Sequence, residues 1–271
     1  MMALLQRRNP WTGPKRIIVH AGLRKTGTTS IQNFLSLNAA RLPEGVAVSP
    51  RDDLTKPWRK AVAADIEKPD RRAVQRAAKA LGAAVQDISA DVLVISDENL
   101  IGQSVVAPDG RDIFDLAATY LPMIETALHG AQIEFVIYTR EQDRWLKSAW
   151  AQGVKRSGIA DSFENWRSRL PRIDAQEGLA RVRSALNSPL HVFAMEDDLD
   201  GPAPLIGRAL FGVAGLDDAT LASFEPAQRS NESLPETALG FLLKLNALEL
   251  GKTDRRRVAR LVEDHPELFA S

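Results

Sequence analysis

Apolar residues recur along this chain in two patterns that take turns. Short continuous runs occur at Ile17-Ile18-Val19, at Val46-Ala47-Val48, at Val92-Leu93-Val94-Ile95, within residues 132–139, and within residues 190–194. A run without polar alternation is the signature of a strand covered on both faces, as in a parallel sheet. Between the runs, apolar residues fall three and four positions apart, the spacing of one helix face. Ile31, Phe34 and Leu35 with Asn38 predict a helix starting near Gly27. Residues 57–81 predict two helices separated at Pro69-Asp70, with Asp70 capping the second. Helices are also expected over 112–129, closed by Gly130, from Arg140 to about Lys155, and over 162–170 and 175–187. Beyond Gly201 the pattern gives helices alone, at 204–213, 235–250 and 253–262. The alternation predicts an α/β fold of three layers, a mostly parallel central sheet with helices on both faces, followed by a helical C-terminal region.

Composition changes this picture little. The 271 residues suit one sizeable domain, read here as 16–271 preceded by a tail at 1–15. Thirty-five basic and 35 acidic residues cancel, so no global charge points to nucleic acid. The basic stretch 57–81 interleaves acids and holds one aromatic residue, Trp58, rather than aromatics interleaved with its arginines, and reads as a solvated helix. There is no cysteine, which excludes disulfides and thiolate chemistry and is compatible with a reducing cytoplasm, the expected location. No segment approaches the roughly 20 apolar residues of a membrane span, and the first 15 residues hold no signal-type apolar core.

The chemistry concentrates after the first run, in His20-Ala21-Gly22-Leu23-Arg24-Lys25-Thr26-Gly27-Thr28-Thr29. A glycine-rich turn between a strand and a helix gathers amide hydrogens at the positive end of a helix and forms an anion cradle. A nucleoside-triphosphate loop would read G-x-x-x-x-G-K-[ST]. Gly22 and Gly27 keep that glycine spacing, but Thr28 stands where the lysine belongs, and the loop lysine is Lys25. Lys25-Thr26-Gly27-Thr28-Thr29 resembles instead the 5′-phosphosulfate loop of the sulfotransferases that use 3′-phosphoadenosine 5′-phosphosulfate (PAPS). A second motif agrees. Arg140 follows the strand ending in Tyr138-Thr139, and Ser148 comes eight residues later. The resemblance gives this pair the 3′-phosphate of PAPS, a role that suits an arginine fork and a helix hydroxyl. The family's Asn-Pro-Lys-Asp insert is replaced by Glu141-Gln142-Asp143-Arg144. A third likeness, to the bacterial branch of the family, lies at Arg229-Ser230-Asn231-Glu232-Ser233, where Asn231 would approach the cofactor and Ser233 would cap a helix.

The resemblance implies sulfuryl transfer from PAPS to a hydroxyl, or an amine, of a carbohydrate or small metabolite, with PAP as product and no metal required. Lys25 would stabilise the leaving oxygen, while Gly22, Thr26, Gly27, Thr28 and Thr29 surround the 5′-phosphate. Glu98, then Asp97, are the candidate general bases, because the ends of parallel strands border the ligand crevice. Glu44 is a remoter candidate, and His20 would line the site or pack inside the fold. Two other readings share these residues. Val92 to Asp97 also reads as a Walker B strand, as in a P-loop kinase, and a non-catalytic nucleotide-binding module would keep the same loops. The acceptor pocket is expected between segments 49–68, 99–111 and 153–172, with Trp58, Trp150 and Trp166 as stacking or core residues.

Overall fold

The computed structural model describes residues 11–51, 53–200, 204–227, 234–248 and 250–269. Five strands, β1 Arg16–Ala21, β2 Val46–Pro50, β3 Val92–Asp97, β4 Gln132–Thr139 and β5 Leu190–Ala194, coincide with the five apolar runs. All pair in parallel, in the order β2-β3-β1-β4-β5. Their lack of alternation follows from burial on both faces. Ile17, Val19, Leu93, Ile95, Phe135 and Ile137 enter one core, whereas Ile18, Val94, Val136 and Tyr138 enter the other.

The first core is closed by α2 Lys56–Glu67, α3 Arg71–Gln86, α4 Ile113–Ala127 and α7 Ala175–Ala185. The opposite face carries α1 Thr28–Leu37, α8 Arg208–Val213 and α9 Asp218–Ala222. There Phe34 stacks on Phe211 with ring centroids 5.1 Å apart. Each such fully buried large apolar side chain contributes about 1.5–3 kcal/mol. A smaller cluster joins α5 Gln142–Ser157 to α10 Glu236–Asn246 and α11 Lys252–Asp264, with α6 Phe163–Ser168 alongside. The fold is therefore the expected three-layer α/β sandwich with a helical C-terminal region.

Several local expectations hold in detail, and others shift. Asp70 caps α3, accepting from the amide of Ala73 at 3.0 Å. Gly130 does not close α4, which ends at Ala127 with Leu128 as its cap. A Cβ at Gly130 would meet the Trp11 ring at 2.5 Å, so this glycine makes room for the tryptophan packed against the sheet's near end. Within the expected tail, Trp11 is thus half-buried, and Lys15 accepts the amide of Gln132 on its carbonyl. The helix expected at 204–213 starts only at Arg208, and α9, too short to show periodicity, is an addition. The cap of α10 is Pro235; Ser233, like Arg229 and Asn231, lies outside the described residues.

The strand order places the site. The chain leaves β1 through α1 toward β2 at one edge, and leaves β4 toward β5 at the other edge. β1 and β4 are neighbours, so their carboxyl ends flank the topological switch point, where open α/β sheets bind ligands. The Lys25 loop and Arg140 follow those two strand ends.

Candidate functional site

The loop after β1 is held tightly from inside. Thr26 donates its hydroxyl to the carbonyl of Leu23 at 2.6 Å and is buried. A Cβ at Gly22 would lie 2.1 Å from Oγ1 of Thr28, so only glycine lets the loop close onto the first turn of α1. Gly27 caps α1 at φ 84° and offers no capping side chain. The amides of Thr28 and Thr29 therefore have no helical acceptor, and the Thr28 hydroxyl is buried without a hydrogen-bond partner. Lys25 has φ 68°, a left-handed conformation that costs a residue with a Cβ about 1–2 kcal/mol. Two bonds secure it: Trp145 of α5 donates Nε1 to the Arg24 carbonyl at 2.7 Å, and Arg140 donates Nη1 to the Lys25 carbonyl at 3.3 Å.

Lys25, Arg140 and Ser148 converge on one cavity of about 310 Å³ between the loop, α5 and the start of α10. Arg144, Lys147, Gln152 and Lys155 complete its polar wall, with Glu236 as the acid in the described lining. Burial first, then the positive charges of Lys155 and Arg24, hold the Lys25 ammonium below the usual lysine range. Glu98 acts the other way, and Arg140 adds to the depression. Nε of Arg140 is buried with no partner. Among the described residues no carboxylate pairs with Lys25 or Arg140; Glu236 lies 3.6 Å from Lys147 and Glu263 3.5 Å from Lys155, so cations still outnumber acids around the cavity. Gly22, Thr26, Gly27, Thr28 and Thr29 stand behind Lys25 in the loop and do not line this cavity.

The three candidate acids and the histidine separate sharply. Asp97 is fully buried and has both oxygens engaged. Thr55 donates to Oδ2 at 2.7 Å, Arg59 Nε lies 2.9 Å from the same atom, and the Asn99 amide donates to Oδ1 at 2.8 Å. Burial pushes its carboxyl upward, and these partners work against that shift. Glu98 is half-buried, 3.3 Å from Arg51 Nη1, and its charge reaches Lys25. Glu44 is exposed just before β2, at the amino ends of the strands, so the parallel register puts it at the far end of the sheet from Lys25. His20 is buried, its Nδ1 2.8 Å from the Ser96 hydroxyl and its Nε2 without a partner. Burial pushes its pKa down to about 3, so the ring is neutral.

A second cavity, of about 210 Å³, lies on the other side of Lys25 and also borders Gln152. Arg24, Gln103, Ser104, Ser157, Trp166 and Leu170 contribute to it. Segments 99–111 and 153–172 thus frame a pocket as expected, while no described residue of 49–68 lines either cavity. Trp58 is core, donating to the Leu100 carbonyl at 2.8 Å, and Trp150 is buried with Nε1 on the Asp161 carbonyl at 2.9 Å. Trp166 alone of the three faces the second cavity. The sequence reading missed Arg144, Lys147 and Lys155. Their signal was present, since with Arg140, Ser148 and Ala151 they recur at three- and four-residue steps along one face of α5.

No protein-family model matches the chain, and no curated protein matches it. A solved structure from work on the PezAT chromosomal toxin–antitoxin system of Streptococcus pneumoniae is similar over 93% of this chain and 90% of its own, at 9% identity and a TM-score of 0.31. A likeness that weak carries no argument about the site. Among the described residues no helix is long and apolar enough to cross a membrane, and no group of three or more His, Asp or Glu is placed to hold a metal ion.

Proposed function

We propose that this protein is a PAPS-dependent sulfotransferase acting on a hydroxyl of a carbohydrate or small-metabolite acceptor. The observation that carries the reading is the meeting of Lys25, Arg140 and Ser148 around one cation-walled cavity at the switch point of the sheet. The residues fit a nucleotide with two separate phosphate groups. Arg140 has a buried Nε without an acceptor, Thr28 has a buried hydroxyl without a partner, and the first amides of α1 are uncapped. Bound PAPS would supply an activated sulfuryl group. Arg140 and Ser148 would hold the 3′-phosphate, and the amides of Gly27 to Thr29 the 5′-phosphate. Lys25 would balance the charge that grows on the leaving oxygen, in a site where its ammonium is already short of anionic partners. Glu98 would take the acceptor proton, since Asp97 is committed to Thr55, Arg59 and Asn99. That commitment also weighs against the kinase reading, which needs Asp97 free for magnesium.

Heat denaturation with ligands tests the proposal. PAP at about 100 times its Kd should add about 2.7 kcal/mol, a rise in Tm of roughly 5–10 °C for a chain of this size. ATP with magnesium should add much less; equal stabilisation by both would refute the cofactor assignment. Mass detection of a sulfated product, from labelled PAPS and a library of hydroxyl compounds, separates an enzyme from a binding module.

A further inference from the structure

A third cavity, of about 440 Å³, lies where the end of α5 meets the start of α11. Five cations line it, Lys155, Arg156, Lys252, Arg255 and Arg256, with Ser157 and Gly158 between them, and no described lining residue is acidic. The nearest compensation is thin. Glu263 alone serves both Arg156, at 2.9 Å, and Lys155, at 3.5 Å. Arg255 donates Nη2 to the Leu250 carbonyl at 3.1 Å, while its Nε is buried without an acceptor. Gly158 is left-handed, and a Cβ there would meet Arg255 Nη1 at 2.7 Å, so the glycine lets this guanidinium lie across the end of α5. Lys252 and Arg256 are exposed and pair with no carboxylate among the described residues.

The start of α11 adds a second anomaly. Gly251 leaves the first amides without a side-chain cap, and Lys252, Arg255, Arg256 and Arg257 crowd the positive end of the helix dipole against one acid, Asp254. Cations at that end are unfavourable. Arg255 and Arg257 have partners within the fold, but Lys252 and Arg256 break the rule without a carboxylate among the described residues, as expected where a ligand supplies the gain. The cavity also neighbours the other two: Lys155 lines it and the cofactor cavity, and Ser157 lines it and the second cavity beside Lys25.

We propose that this cavity receives an oxyanion carried by the acceptor, a carboxylate, sulfate or phosphate, so that the substrates are acidic molecules whose reacting hydroxyl sits in the second cavity next to Lys25. The acceptor role rests on the sulfotransferase reading; the anion site does not. Calorimetric titration of inorganic pyrophosphate into the full chain, at fixed ionic strength, compares wild type with the Lys252→Ala/Arg256→Ala variant. Both side chains are exposed, and an unchanged PAP affinity checks that the fold is kept. The variant should bind pyrophosphate about tenfold more weakly, from the loss of two charge-assisted contacts. Equal affinity, or no binding to wild type, overturns the site. A second arm measures turnover of a hexuronic acid glycoside against the matching neutral hexose glycoside. The acid should have the lower KM in wild type and lose that advantage in the variant, with kcat on the neutral sugar unchanged. An advantage kept in the variant, or none in wild type, overturns the acceptor assignment and leaves a site for free anions. If no acceptor yields a sulfated product while pyrophosphate binding still falls in the variant, the sulfotransferase reading fails and the anion site stands.

Discussion

Replacing Arg140 by alanine separates recognition of a 3′-phosphate from support of the loop, because the side chain is placed to do both. Its Nη1 donates to the Lys25 carbonyl at 3.3 Å, its Nε is buried without a partner, and its charge helps depress the Lys25 pKa. Without ligand, the change removes one long hydrogen bond, about 1 kcal/mol, and relieves repulsion within the cation cluster. Net stability should therefore move by less than about 1 kcal/mol. With PAP bound, the loss is a charge-assisted contact to phosphate, about 1.5–3 kcal/mol, which weakens binding about 10–150-fold. Adenosine 5′-monophosphate lacks the 3′-phosphate and should bind both proteins within about threefold, so the double cycle assigns the coupling to that group. Calorimetric titration of both ligands into both proteins reads the result. Equal weakening of the two ligands would mean that Arg140 only holds the Lys25 backbone, and an unchanged PAP affinity would remove it from the site.

Lys25→Ala should lower kcat by roughly 10²–10³ while PAP affinity falls less, by analogy with losing one oxyanion donor; single-turnover kinetics with an unchanged rate would refute the role. Glu98→Gln should bind PAP as before yet lose about 10²–10⁴ in turnover. Asp97→Asn should instead lower the unfolding free energy by about 1–3 kcal/mol, because Arg59 and Thr55 lose the charged oxygen they share. A stable Asp97→Asn that is catalytically dead would reverse the two assignments. His20 is neutral in the fold, with a pKa near 3 against about 6.5 when unfolded. Its contribution is complete above pH 6.5 and is lost as pH falls toward 3. Between pH 7 and pH 4 wild type should lose on the order of 3 kcal/mol more than His20→Gln in urea unfolding. Parallel pH profiles for the two proteins would show that the ring is not held neutral.

The sequence determined the elements and their kind, because hydrophobic periodicity is a local record of which faces are buried. Continuous runs at β1, β3 and β4 could arise only in strands covered on both sides, and Asp70 announced its helix by cap chemistry alone. The spacing of Lys25 to Gly27, and of Arg140 to Ser148, likewise survives in the chain as short-range pattern. What the sequence left open depends on neighbours distant in the chain. The order β2-β3-β1-β4-β5 brings Lys25 and Arg140 together across 115 residues, and nothing local encodes that adjacency. Asp97 and Glu98 are consecutive acids at one strand end, and the sequence ranked Glu98 first with Asp97 second. Packing decides between them, since Thr55, 42 residues earlier, and Arg59 on the same helix region claim the first and leave the second toward Lys25. Gly130 looked like a helix stop because glycine serves both backbone and space, and the Trp11 ring against it shows that space was the reason. The cations of α5 and α11 lie on two helices about 100 residues apart in the chain. Only the docking of the two helices turns them toward one cavity, where five like charges gather and Glu263 pairs with two of them.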